Sequence, residues 1–298
     1  MTKTAEFEIK DIAVTLENIV PDLAAQTIRG WLFLPRKQHA SHIFVCLAGG
    51  SYSKFYYHSR FEGYERYSFA EYMATEGYAV LALDHLGMGN SDKPENVSLL
   101  DRHCLATFNH HAVQEVLKNL SGGLYGAPIA PRPVGIGHSM GGMLLIDQQA
   151  NFDTFEKIAV LGWTNKGVGF DTQALKELAK SPGYLPTDRK QMRPIFHLED
   201  VPVEVIEADD DQASLTPSPV AVDALQPGIV AREAEKISVP VFLCFGERDI
   251  SPDPNGETPY YKNSPEVSLV ILEGSGHNHN FATTRESLWV HIAHWADR

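Results

Sequence analysis

The chain has 298 residues, 43% of them hydrophobic and 21% charged, with a formal net charge of −13. That length and apolar content fit one large domain, or one carrying an insertion, with an ample core. The negative charge excludes a nucleic acid or an anionic membrane surface as the main partner, since either requires a basic face. The first eight residues lack an apolar signal segment, and no apolar run approaches the roughly 20 residues of a membrane span. A cytoplasmic protein with no membrane span is expected. Cys46, Cys104 and Cys244 lie in apolar runs without metal-ligand spacing. They read as buried free thiols, with no metal site.

Residues 6–16 and 27–34 alternate apolar and polar, which predicts an antiparallel hairpin with one wet face. Apolar runs at 42–47, 78–83, 133–136, 157–161, 239–245 and 267–272 are short and rich in Val, Ile, Leu and Phe. Strands covered on both faces of a parallel sheet have that composition. Helical spacing at 64–75, 100–120, 140–150 and 283–296 alternates with them, the pattern of a doubly wound sheet. The interval 163–236 breaks the alternation. It holds a helix-like stretch at 172–179, several prolines, an acidic run at 207–211 and no convincing strand. A structureless loop of that length is improbable in a compact domain, so a small helical lid over the sheet is expected. The division is therefore a core of 1–162 and 237–298 with a lid of 163–236. The acidic run reads as a solvated face, because consecutive carboxylates without a glycine turn do not converge on a cation.

The segment Gly137-His138-Ser139-Met140-Gly141-Gly142 joins an apolar run to a helical one. Glycine two places before and two places after Ser139 leaves room for a tight, strained strand-to-helix turn, a nucleophile elbow. Such a turn lifts the Ser139 hydroxyl clear of the backbone and sets the Met140 N–H at a helix N-terminus, where it can donate to an oxyanion. In a parallel sheet the partners belong at the carboxyl ends of other strands. Asp249 follows one apolar run and His277 follows the last. Asp249 would fix the imidazole tautomer, and His277 would take the Ser139 proton and pass it to the leaving group. His279 is a rival for the base and Glu247 for the acid. Gly49-Gly50 after the third strand offers the second oxyanion donor, with the Gly50 N–H as the choice. Tyr52, Tyr56, Trp163, Phe170 and Phe196 are the candidates for an apolar substrate surface. Phe55, Tyr57 and His58 are further candidates beside Tyr56, and Arg193 and His197 could meet a polar group.

These features resemble the α/β-hydrolase superfamily: the elbow at 137–142, the glycine turn at 49–50, the segment Asp84-His85-Leu86-Gly87-Met88-Gly89-Asn90-Ser91 and the late acid and histidine. The resemblance covers nearly all of the chain outside the lid. It implies a mostly parallel, eight-stranded sheet flanked by helices, with a lid after the sixth strand, and a Ser-His-Asp mechanism without a cofactor. Two departures stand out: Ala48-Gly49 replaces the familiar His-Gly, and His85 replaces an arginine. Relatives that open epoxides or displace halides carry aspartate at the elbow, so Ser139 points to acyl transfer. The expected activity is hydrolysis of a carboxylic ester, lactone or thioester of a hydrophobic small molecule. Cleavage of a C–C bond in a diketone, or use of peroxide in place of water, would need the same triad. A non-catalytic binder using the same pocket is the alternative of another class. The oligomeric state leaves no signature in the sequence.

Overall fold

The structure is a computed structural model that describes residues 6–36, 40–168 and 183–298, together with residues 173, 177 and 180. The leading hairpin pairs β1 (Phe7–Leu16) with β2 (Gln26–Pro35) in antiparallel register, Phe7 opposite Pro35 and Leu16 opposite Gln26. Six further strands complete the sheet: β3 (His42–Leu47), β4 (Ala79–Leu83), β5 (Arg132–His138), β6 (Lys157–Leu161), β9 (Val241–Gly246) and β10 (Val267–Leu272). Their order is β1-β2-β4-β3-β5-β6-β9-β10. Strand β2 runs antiparallel to both neighbours, and every other pair is parallel. The eight-stranded, mostly parallel sheet that the family resemblance implies is present.

Side-chain alternation sorts each strand onto two cores. In β3, Ile43, Val45 and Leu47 enter one cluster while Phe44 and Cys46 enter the other. The first is covered by α2 (Arg102–Ser121) and α3 (Met140–Phe152), the second by α1 (Phe69–Thr75) and α8 (Arg285–Asp297). Burial on both faces explains why these strands read as continuous apolar runs. Helix α1 begins at Phe69, later than the spacing at 64–75 predicts, because Ser68 caps it by accepting the Glu71 N–H at 3.0 Å. Cys46, Cys104 and Cys244 are buried free thiols. No helix among the described residues is long and apolar enough to cross a membrane.

Between β6 and β9 lie β7 (Tyr184–Leu185), α4 (Arg189–Phe196), α5 (Val203–Asp210), β8 (Thr216–Pro217), α6 (Ser218–Ala224) and α7 (Ala231–Lys236). The helical stretch expected at 172–179 falls mostly outside the described residues. Two sequence expectations change here. A two-residue antiparallel pair, β7 with β8, occurs where no strand is expected; it is too short to leave a periodic pattern. The acidic run is not a uniformly solvated face: Asp209 is buried on an ion pair with Arg189, and Asp210 pairs with Arg193 at 2.5 Å.

Candidate active site

Ser139 links β5 to α3 with φ 54° and ψ −124°, a left-handed conformation rare outside glycine. The turn fits because its neighbours lack side chains: a Cβ on Gly137 would strike the Gly141 carbonyl, and one on Gly141 would strike the Leu47 carbonyl. Ser139 N–H donates to the Leu161 carbonyl at 2.8 Å, tying the elbow to β6. Among the described residues the Ser139 side chain accepts no capping hydrogen bond from α3, and neither Met140 N–H nor Gly50 N–H has an acceptor. Gly50 lies beside Met140, a Cβ on it falling 3.6 Å from Met140 Sδ. Gly49 packs on the elbow itself, where a Cβ would sit 3.0 Å from Ser139 Cβ.

The loop with these glycines is held by the residue that departs from the family pattern. His85 is buried and donates from Nε2 to the Ala48 carbonyl at 2.9 Å, while its Nδ1 accepts from Asn109 at 3.0 Å. Burial holds its pKa below the usual histidine value, so it stays neutral and keeps this tautomer. The neighbouring Asp84 accepts Lys54 Nζ at 2.5 Å and the N–H groups of Lys54 and Asn90.

Asp249 lies just beyond β9 and His277 just beyond β10. The Asp249 carboxylate takes four donors: Gly246 N–H and Ile250 N–H at 2.7 Å each, His277 Nδ1 at 2.6 Å and His279 Nε2 at 2.9 Å. Burial alone would raise its pKa, but attraction to His277 and the hydrogen bonds from both imidazoles outweigh that and hold the carboxyl well below the usual range. The two histidines differ in what remains. With Nδ1 committed to Asp249, His277 has no hydrogen-bond partner on Nε2 among the described residues, whereas His279 spends Nε2 and is left with a buried, unpartnered Nδ1. Glu247 is exposed and accepts the Gly274 N–H at 3.0 Å instead of an imidazole.

The elbow and the histidine loop meet through His138, whose Nε2 donates to the His277 carbonyl at 2.8 Å and whose ring centroid lies 4.6 Å from that of His277. Burial, and then repulsion from His277 and His279, keeps His138 neutral. Gly162, at φ 58°, closes the other approach, since a Cβ there would lie 2.9 Å from the His277 ring.

Of the aromatic candidates, Phe196 has its ring 5.5 Å from His277, and Trp163 packs against Gly142. Tyr56 stacks on His138 at 4.4 Å, and Tyr52 donates its hydroxyl to Asp209 at 2.7 Å. Phe170 lies outside the described residues. Tyr57 donates to the Leu47 carbonyl at 3.2 Å, and His58 pairs with Ser68 at 2.8 Å. A cavity of about 220 Å³ is lined by Trp31, Tyr52, Phe55, Tyr56, Phe61 and Asp209 among others; Ser139, Asp249 and His277 do not line it. Nothing in the sequence spacing points to the buried Arg189–Asp209 pair, and His279, the rival for the base, is instead a second donor to Asp249. Among the described residues no cluster of side chains could hold a metal ion.

Comparison with solved structures finds the same fold at low identity. A thermophilic esterase from Thermogutta terrifontis matches with a TM-score of 0.71 and 15% identity, over 96% of this chain and 98% of the other. A soluble variant of monoglyceride lipase from Saccharomyces cerevisiae, solved with a substrate analogue, matches with a TM-score of 0.71 and 13% identity, over 96% and 94%. The thioesterase domain from the curacin biosynthetic pathway matches with a TM-score of 0.57 and 16% identity, over 95% and 99%. No curated protein sequence matches. At these identities the neighbours speak to fold alone, but residues 44–286 match the sequence pattern of the alpha/beta hydrolase family, and the chain belongs to that family.

Proposed function

We propose that the protein is a serine hydrolase that cleaves a carboxylic ester, lactone or thioester of a hydrophobic small molecule through an acyl-enzyme, without a cofactor. The observation that carries this reading is the conjunction at the elbow. A serine in a strained turn at the head of α3 stands beside two unclaimed N–H groups, and the ring of the preceding His138 lies 4.6 Å from that of His277, whose Nδ1 is committed to a buried carboxylate. In this reading Ser139 Oγ attacks the carbonyl carbon and gives its proton to His277 Nε2. The Met140 and Gly50 N–H groups receive the oxyanion. Collapse expels the alcohol or thiol, which takes the proton from His277. Water then attacks the acyl-enzyme, again losing a proton to His277; the acid departs and the proton returns to Ser139. Asp249 fixes the productive tautomer and stabilises the imidazolium. Hydrogen bonds of this kind commonly tighten only in the substrate complex.

In this reading the described residues of the 163–236 interval cap the site. Trp163 and Phe196 give it apolar surface near the elbow and His277, which favours a hydrophobic acyl or alcohol group. The test is Ser139→Ala, assayed on a panel of p-nitrophenyl esters and with a fluorophosphonate probe. Loss of labelling and a fall in kcat/KM of at least about 1,000-fold are expected. Parental turnover by the variant would remove Ser139 as nucleophile.

A further inference from the structure

Helix α4 touches both halves of the proposed machinery. At its C-terminal end the carbonyls of Ile195 and Phe196 accept the N–H groups of His277 and Asn278, each at 2.9 Å. Gly276 permits this approach, since a Cβ there would lie 2.6 Å from the Phe196 carbonyl oxygen. At its N-terminal end Arg189 enters the protein with 1% of its side chain exposed. Its guanidinium donates to the Ser51 carbonyl and, at 3.3 Å, to Ser51 Oγ; it stacks 3.7 Å above the Tyr52 ring and pairs with Asp209 at 3.0 Å. Asp209 in turn accepts the Tyr52 hydroxyl, and Tyr52 accepts an N–H of Asn278 at 2.6 Å. The circuit runs from the loop carrying Gly50, through the inserted segment, to the residue after His277.

The loop needs such support. Ser51 is buried at φ 63°, a conformation that costs a non-glycine residue roughly 1 kcal/mol or more. Contacts from the inserted segment surround it: Thr216 Oγ1 accepts its N–H at 2.8 Å, and its carbonyl takes the Ser214 N–H as well as Arg189. This sets the oxyanion donor through the peptide plane. Tyr52 N–H donates to the Gly49 carbonyl at 3.2 Å, closing the turn. The Gly49 carbonyl and the Gly50 N–H belong to one planar trans peptide and point in opposite directions, so fixing the first aims the second.

We propose that Arg189, with Asp209 and Tyr52, is a positioning unit that aims the Gly50 N–H, so that the inserted segment is a working part of the oxyanion hole. This rests on the serine-hydrolase reading above. Truncating Arg189 alone would strand a buried carboxylate, so the test uses Arg189→Met/Asp209→Leu, which removes both charges, and separately Tyr52→Phe, which removes only the linking hydroxyl. Both are assayed on p-nitrophenyl esters, with circular dichroism to report folding. The double variant is expected to lose roughly 10- to 100-fold in kcat with KM within about threefold, since oxyanion contacts act in the transition state. The acidic limb of its kcat/KM profile should stay in place, because Asp249 and His277 are untouched. Tyr52→Phe should lose several-fold in kcat in the same way. A folded double variant with parental kcat overturns the inference; if the double variant does not fold, parental kcat in Tyr52→Phe does so. A parent protein that neither hydrolyses the panel nor reacts with a fluorophosphonate overturns the serine-hydrolase reading and this inference with it.

Discussion

Asp249 Oδ1 takes the Nδ1–H of His277 while Oδ2 takes the Nε2–H of His279, so one buried carboxylate orients two imidazoles at once. Their positions in the sequence, two residues apart after the last strand, do not separate them; the ring nitrogen each one spends does. Replacing His277 removes the only imidazole of the pair with Nε2 free, and His277→Phe should lower kcat/KM by at least about 1,000-fold. His279→Phe removes one of four donors to Asp249, a charge-assisted hydrogen bond worth about 1.5–3 kcal/mol. It should lower the thermal midpoint measurably and kcat/KM only about 10-fold, because Asp249 keeps His277 and two backbone donors. Steady-state kinetics on the two single variants checks the assignment. Equal losses would mean that the roles of base and support are not divided in this way.

At the level of elements, the parallel strands and the helices between them were legible because each strand is buried on two faces and each helix on one. The start of α1 was also written in the sequence, as Ser68 followed by Glu71 three residues later, a capping signature that outweighs apolar spacing further upstream. Other features depend on partners far apart in the chain. Asp209 sits in a run of acids that looks solvated until Arg189, twenty residues earlier, is brought against it. The β7–β8 pair is two residues long and carries no period. The elbow illustrates how glycines register element packing: Gly141 lies where α3 meets the end of β3, and a methyl group there would strike the carbonyls of Leu47 and Ala48. Gly141→Ala should therefore push α3 off β3, cost about 3 kcal/mol or more, and displace the Gly49–Gly50 turn along with the strand that leads to it. Chemical denaturation and ester turnover should both report it. A variant with parental stability would show that the two elements separate at no cost.

For the whole molecule, buried histidines contribute to the loss of stability in acid. Burial holds the pKa values of His85 and His138 below the usual value, and His138 is further opposed by His277 and His279; His58 is pulled by burial to about 4. In the unfolded chain each titrates near 6.5. Between about pH 6.5 and 4 the unfolded state therefore binds a proton at His58 that the folded state refuses, His85 and His138 act in the same direction below about 6.5, and stability falls as pH falls. Such a group contributes a slope of at most about 1.4 kcal/mol per pH unit wherever it is protonated only in the unfolded state. Asp249 works in the same direction in a lower window. Its folded pKa is depressed, so its contribution is present above the unfolded carboxylate value of about 4 and is lost as pH drops through the folded value. Against a total stability of about 5–15 kcal/mol, a loss of a few kcal/mol is a large fraction. The thermal midpoint should decline from about pH 6 downward, and His58→Gln should make the decline shallower. A midpoint that stays level down to pH 5 would mean that these imidazoles gain protons in the folded state, and that the neutral tautomers holding Ala48 and the His277 carbonyl are not what fixes the site.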